Sequence, residues 1–130
     1  MLRILCTVMC MSATSSAAIE RTAVDLNGAA QNGAACRLTF TVSAPVGLAA
    51  LETQTVLIDK AGSVRSFSLF DFGSVPVGGL RVRQFDVPHI TCGELELVLF
   101  NGVERCVAAD GAACAGLAFT SRVDELEVQQ

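Results

Sequence analysis

The sequence predicts an all-β fold, an antiparallel two-layer β-sandwich of six or seven short strands, preceded by an N-terminal signal helix that is removed on export. Three observations predict it. Apolar and polar residues alternate over short runs. Turn signals built on Gly, Pro, Asn and Asp separate those runs at roughly ten-residue intervals. No helical period appears beyond the N-terminal segment, and strands without helices leave sheet-on-sheet packing as the way to bury an apolar face.

The export segment comes first. Met1-Leu2-Arg3 is a short positive start, Ile4 to Met11 is apolar, and Ser12 to Ala18 is a run of small residues. That order is the pattern of a Sec signal peptide, with cleavage after Ala18 and with Ser16 and Ala18 at the small −3 and −1 sites. An N-terminal helix of the fold is the competing reading, but Thr14-Ser15-Ser16-Ala17-Ala18 continues no amphipathic period. There is no twin arginine. Leu5 and Met9 precede Cys6 and Cys10, where lipoprotein processing needs a small residue. Residues 1–18 are therefore read as signal, 19–35 as a tether or edge strand, and 36–125 as the sandwich.

The strands follow in order. Ala23 to Ala35 is rich in Gly, Ala and Asn, with Val24 and Leu26 as its apolar anchors. Cys36 to Val42 alternates cleanly, placing Cys36, Leu38, Phe40 and Val42 on one face. Pro45 marks a turn. Leu51, Thr53, Thr55 and Leu57 share a face of the next strand. Asp59-Lys60-Ala61-Gly62 is a hairpin turn, with Asp to accept backbone hydrogen bonds and Gly to close it. Val64 to Phe72 returns with conflicting parity, Phe67 and Leu69 against Phe70 and Phe72. Either both faces are covered there or a bulge re-aims the strand. Leu80 to Val87 conflicts likewise, and a bulge near Arg83–Gln84 would turn Leu80, Val82, Phe85 and Val87 all inward. Leu95, Leu97 and Leu99 are read as core-facing, with Glu94 and Glu96 outward. Asn101-Gly102 is read as a turn. Leu117, Phe119, Ser121 and Val123 form the last strand, and Glu125 to Gln130 a fraying tail.

Composition limits the function classes. The chain has 130 residues, enough for one domain. Only Arg3 precedes Glu20 among the charged residues, so the exported chain carries eight basic and thirteen acidic side chains, a net charge of −5. That balance argues against nucleic acid and anionic membrane surfaces as partners. No second apolar run is long enough to span a bilayer. There is no Trp and no Tyr, which demotes glycan stacking and a tight aromatic hot spot. All seven aromatics are Phe, and their strand positions assign them to the core.

Four cysteines remain after export: Cys36, Cys92, Cys106 and Cys114. An even count in a small exported domain reads as two disulfides. Of three connectivities, Cys36–Cys92 with Cys106–Cys114 is favoured, because the second pair would close the Ala/Asp/Gly-rich loop between them. A four-cysteine zinc site competes, but no C-x2-C pair is present.

Candidate chemistry is sparse. His89, beside Pro88, is the only histidine, and there is no G-x-S-x-G, so a hydrolytic site built on it lacks partners. Glu94 and Glu96 read as a solvated strand face. Arg81 and Arg83, with Arg65 on a neighbouring strand, would form an arginine face able to grip carboxylates or phosphates. Cross-strand pairing with Asp71, Glu94 or Glu96 is the plainer account of the same residues. No catalytic residue, metal site or cofactor is expected. The leading expectation is a non-enzymatic periplasmic or secreted module that contacts an envelope or secreted protein. A small anionic-ligand-binding protein using Arg65, Arg81 and Arg83 is the alternative.

Leu38 to Val87 resembles the FxLYD-type modules, small immunoglobulin-like sandwiches of exported bacterial proteins. The resemblance rests on Leu51-x-Thr-x-Thr-x-Leu57-Ile58-Asp59, on Lys60-Ala61-Gly62-Ser63-Val64, and on a strand ending Gln84-Phe85-Asp86-Val87. Ser68-Leu69-Phe70-Asp71-Phe72-Gly73, Arg81 to Asp86 and the four cysteines are similar to an uncharacterised exported proteobacterial family. The resemblance implies an immunoglobulin-like fold and an exported compartment, and no activity.

Overall fold

The computed structural model describes residues 21–114 and 116–130. The expected signal peptide, with Cys6, Cys10 and the cleavage position, lies outside the described residues.

The Cys36–Val42 alternation dictates the centre of the first sheet. Strand β2 (Ala35–Ala44) turns Cys36, Leu38, Phe40, Val42 and Ala44 inward, all fully buried. Strand β1 (Thr22–Asn32) precedes it in a hairpin closed at Gly33, whose φ of 58° suits glycine. On the other flank β5 (Gly79–Pro88) pairs with β2 in unbroken antiparallel register from Ala35↔Pro88 to Ala44↔Gly79. Strand β7 (Leu117–Ser121) then adds to β1 in parallel, giving the order β5-β2-β1-β7. The expected tether or edge strand at 19–35 is thus an interior strand. It needs few apolar side chains because Val24 and Leu26 are buried and both neighbours satisfy its backbone. Asp25 fastens β7, accepting from Thr120 Oγ1 at 2.6 Å and Arg122 Nε at 2.7 Å.

The second sheet is built on β3 (Leu48–Asp59). Leu51, Thr53, Thr55 and Leu57 face the core as the alternation predicted, and the two buried threonine hydroxyls bond each other at 2.9 Å. The Asp59 hairpin forms as expected. Its carboxylate accepts from the N–H groups of Ala61 and Ser63, and Gly62 N–H donates to Asp59 C=O. Strand β4 (Val64–Asp71) returns along β3. On the far side of β3 lies β6 (Leu95–Ala108), followed by the short parallel β8 (Glu127–Gln129), so the order is β4-β3-β6-β8.

Four details differ from the sequence reading. Asn101-Gly102 is no turn: β6 runs through it with register shifts against Gln54/Thr55 and Glu52/Thr53. These are bulges, which absorb a turn-prone pair without reversing the chain. A further shift at Ile58/Asp59 flips parity just after Leu95, so Val98 and Phe100, not Leu97 and Leu99, join Leu95 in the core. Glu127–Gln129, assigned to a fraying tail, pairs with Leu97–Leu99, and Leu126 is buried ahead of it. The sandwich therefore has eight strands in two mixed sheets and spans more than 36–125.

Between the sheets lies a phenylalanine cluster centred on Phe40. Its ring meets Phe70, Phe72, Phe85 and Phe100 at centroid distances of 6.1, 5.5, 5.9 and 6.1 Å, in edge-on geometry. Phe70 of β4 stacks on Phe85 of β5, and Phe100 of β6 on Phe119 of β7, each at 4.1 Å. These contacts set β5 over β4 and β7 over β6. Phe67 alone of the seven stands outside the cluster. Two disulfides staple the fold. Cys36–Cys92 ties β2 to the segment before β6, and Cys106–Cys114 closes the loop after it.

Candidate functional site

The structure disperses the expected arginine face. Arg65 lies on β4 of the second sheet, where it donates to Glu94 at 2.9 Å and to Asp59 at 3.4 Å. Arg81 and Arg83 lie on β5 of the first sheet. Their register partners are Val42 and Phe40, both core-facing, so both arginines take the inward parity. No bulge occurs near Arg83–Gln84. Instead Leu80 and Val82 stay outside, exposed. Arg83 reaches across the open side of the sandwich and donates to the carbonyls of Phe72 at 2.7 Å and Ser74 at 3.1 Å. It latches the end of β4 to β5 and spends its donors on backbone. The long stem of arginine permits this, since apolar carbons cover the core edge while the guanidinium stays wet.

The other sequence candidates do not converge. His89 is an exposed loop residue with φ of 59°. Glu94 sits in a single 3-10 turn (Cys92–Glu94), bonded to Arg65, apart from the strand position of Glu96. Cys36, Cys92, Cys106 and Cys114 are all spent in disulfides. Among the described residues, no group of three or more His, Cys, Asp or Glu side chains is placed to hold a metal ion. The surface depressions are shallow. One of about 400 Å³ is lined by Lys60, Glu96, Glu125 and Glu127, and one of about 380 Å³ lies beside Cys106–Cys114.

What the fold does present is the outer face and free edge of the second sheet. Opposite the core, β4 carries Phe67 and Leu69, 63% and 54% exposed. Phe67 lies beside Val56 of β3, and Val56 beside Leu99 of β6; Ile58 lies beside Leu97 in the next row. An apolar row therefore crosses three strands on the outer face, exposed at Phe67 and Leu69, part-buried at Leu99 and covered at Val56. The parity conflict in Val64–Phe72 was its signal in the sequence. The conflict is resolved neither by a bulge among Ser66–Asp71 nor by a covering element among the described residues.

Comparison of the chain with protein-family models, with curated proteins and with solved structures finds no match.

Electrostatics at the surface is local. Hydrogen bonds from the Ser63 and Ala61 backbone and from Arg65 hold the Asp59 carboxyl below the usual carboxylate range. Arg37 does the same to Asp86, donating at 2.8 and 3.0 Å across β2 and β5, with Asn32 assisting. These pairs hold turns and strand neighbours. Among the described residues no helix is long and apolar enough to cross a membrane.

Proposed function

We propose that this chain is an exported, non-enzymatic β-sandwich module, periplasmic or secreted, that works through contact with protein. The contact surface is the outer face of the second sheet together with the β4 edge. The observation that carries this reading is the exposed pair Phe67 and Leu69 on the outer face of β4, flanked by the part-buried Leu99 and by Val56, which is itself buried, because large apolar groups exposed together on a small domain mark an interaction surface. Two disulfides support the compartment, since such bonds persist in oxidising surroundings. The resemblance to immunoglobulin-like FxLYD modules points the same way.

The test is site-specific photo-crosslinking in the native envelope or secreted fraction. A crosslinker at Phe67 or Leu69 is expected to give protein adducts, and one at Thr39, on the outer face of the first sheet, is not. No adduct from either β4 position would overturn the reading. Intact mass of the same material should begin at Ile19 and rise by four hydrogens on reduction; a chain beginning at Met1 with free thiols would remove export.

A further inference from the structure

The two disulfides stand in different surroundings. Cys36 is fully buried in the core cluster, and its partner Cys92 lies half-buried in the single turn before β6. Cys106, near the end of β6, and Cys114, eight residues on, are both half-buried. Both line the shallow depression of about 380 Å³ between the end of β6 and the start of β7, so one open surface reaches the pair from outside. Arg105 and Glu104 line it as well, and the Glu104 carboxylate accepts from Gln54 Nε2 at 2.8 Å.

Thiol–disulfide exchange begins with a thiolate attacking one sulfur of the bond. Its rate depends on access to that sulfur and on how readily the other leaves as a thiolate. At Cys36–Cys92 both requirements fail. Cys36 is 0% exposed. Attack at Cys92 would expel the Cys36 sulfur as a thiolate inside the apolar core, where an unpaired charge is costly. The depression that touches Cys92 is lined by Asp124 and Glu125, whose carboxylates oppose an incoming thiolate, and its Lys60 faces Glu125 at 3.8 Å. At Cys106–Cys114 neither sulfur is shut in the core, so either can be attacked and either can leave. Arg105 beside them favours the thiolate in both roles.

The loop between Cys106 and Cys114 is also held without the bond. Ala108 N–H donates to Ala112 C=O at 2.8 Å, Gly111 N–H to Ala108 C=O at 2.9 Å, and Ala112 N–H to Asp110 Oδ1 at 2.9 Å. Ala109 N–H reaches Gly47 C=O at 3.2 Å, and Val107 bridges Ala113. Strand β7 is fastened separately, by its pairing with β1 and by Phe119 on Phe100. Opening the bond therefore leaves the sandwich closed.

We propose that Cys106–Cys114 is a thiol-exchange site, a surface disulfide that low-molecular-weight thiols open in the folded protein while Cys36–Cys92 stays intact. One thiolate attacks a protein sulfur. A new S–S bond joins the small molecule to the protein, the old S–S bond breaks, and the displaced cysteine leaves as a thiolate that takes a proton from water. A second thiolate then attacks the small molecule's sulfur in this mixed disulfide and releases the other cysteine. The protein gains two electrons and ends with two thiols, and the small thiol is oxidised to its own disulfide. The site is separate from the outer face of β4, and its standing does not depend on that face.

The test is reduction of the disulfide-bonded chain by dithiothreitol without denaturant, with samples alkylated by iodoacetamide at intervals and mapped by peptide mass. Cys106 and Cys114 are expected to be alkylated at least about tenfold faster than Cys36 and Cys92. Far-ultraviolet circular dichroism, followed in parallel, should stay unchanged while only the first pair is open. Equal rates for the two bonds, earlier opening of Cys36–Cys92, or opening of Cys106–Cys114 only as the dichroism signal is lost overturns the proposal.

Discussion

Replacing Phe40 by Ala should cost more than any other single substitution in the domain. Phe40 is fully buried on β2, and its ring is flanked by four others at 5.5–6.1 Å. Truncating a buried Phe costs about 3–5 kcal/mol. The edge-on ring pairs, about 0.5–1.5 kcal/mol each and not additive, place this site at the upper end, near 4–5 kcal/mol. At about 2.1 cal/mol/K of unfolding entropy per residue over some 110 residues, the melting temperature should fall by about 17–22 °C. Phe67→Ala removes the same side chain from the outer face of β4 and should cost about 0.5 kcal/mol or less. The assay is urea unfolding followed by far-ultraviolet circular dichroism, since the chain has no Trp or Tyr to report by fluorescence. The m-value should stay constant, because the surface exposed on unfolding is nearly unchanged. Equal costs for the two substitutions, or less than about 1 kcal/mol for Phe40→Ala, would refute the inward placement of β2's Phe40 and the outward placement of β4's Phe67, and with them the core between the layers.

Two further outcomes are expected. The disulfides should differ in weight. Cys36–Cys92 closes a separation of 56 residues and Cys106–Cys114 one of 8, so paired Ser replacements should cost about 4 and about 2.5 kcal/mol in the chain-entropy model, read as urea midpoints. Stability should also fall in acid. Asp59 and Asp86 are held below their ordinary 3.8 in the folded state, so the unfolded chain binds more protons as pH drops past that value. Their contribution is complete above about pH 5 and is lost progressively below about pH 4. Melting temperatures from pH 7 to pH 2.5 should show this, with a flatter profile in the Asp59→Asn, Asp86→Asn double variant; a loss centred near pH 6 in the parent would contradict it.

Much of this architecture is legible in local pattern, and the exceptions have physical causes. The Cys36–Val42 alternation, the Leu51–Leu57 face and the Asp59–Gly62 turn depend on neighbours in sequence, and they stand in the structure as read. The parallel partners β7 and β8 depend on which distant strands meet, which no local period encodes. Asn101-Gly102 carries turn chemistry, yet neither residue takes a positive φ, and the long β6 pairing with β3 overrides the local signal and leaves only bulges beside it. The arginines misled because polarity was taken to mean outward. On an edge strand over an open side, Arg83 is better satisfied inward by the Phe72 and Ser74 carbonyls, and Leu80 and Val82 are left outside. Phe67 misled in the opposite sense, since a large aromatic reads as core wherever it stands.

Amide hydrogen exchange resolved by residue along β4 interrogates the open edge itself. Ser66, Ser68, Phe70 and Phe72 should exchange slowly and Phe67, Leu69 and Asp71 fast. Uniform protection of both sets would contradict an edge strand left unpaired.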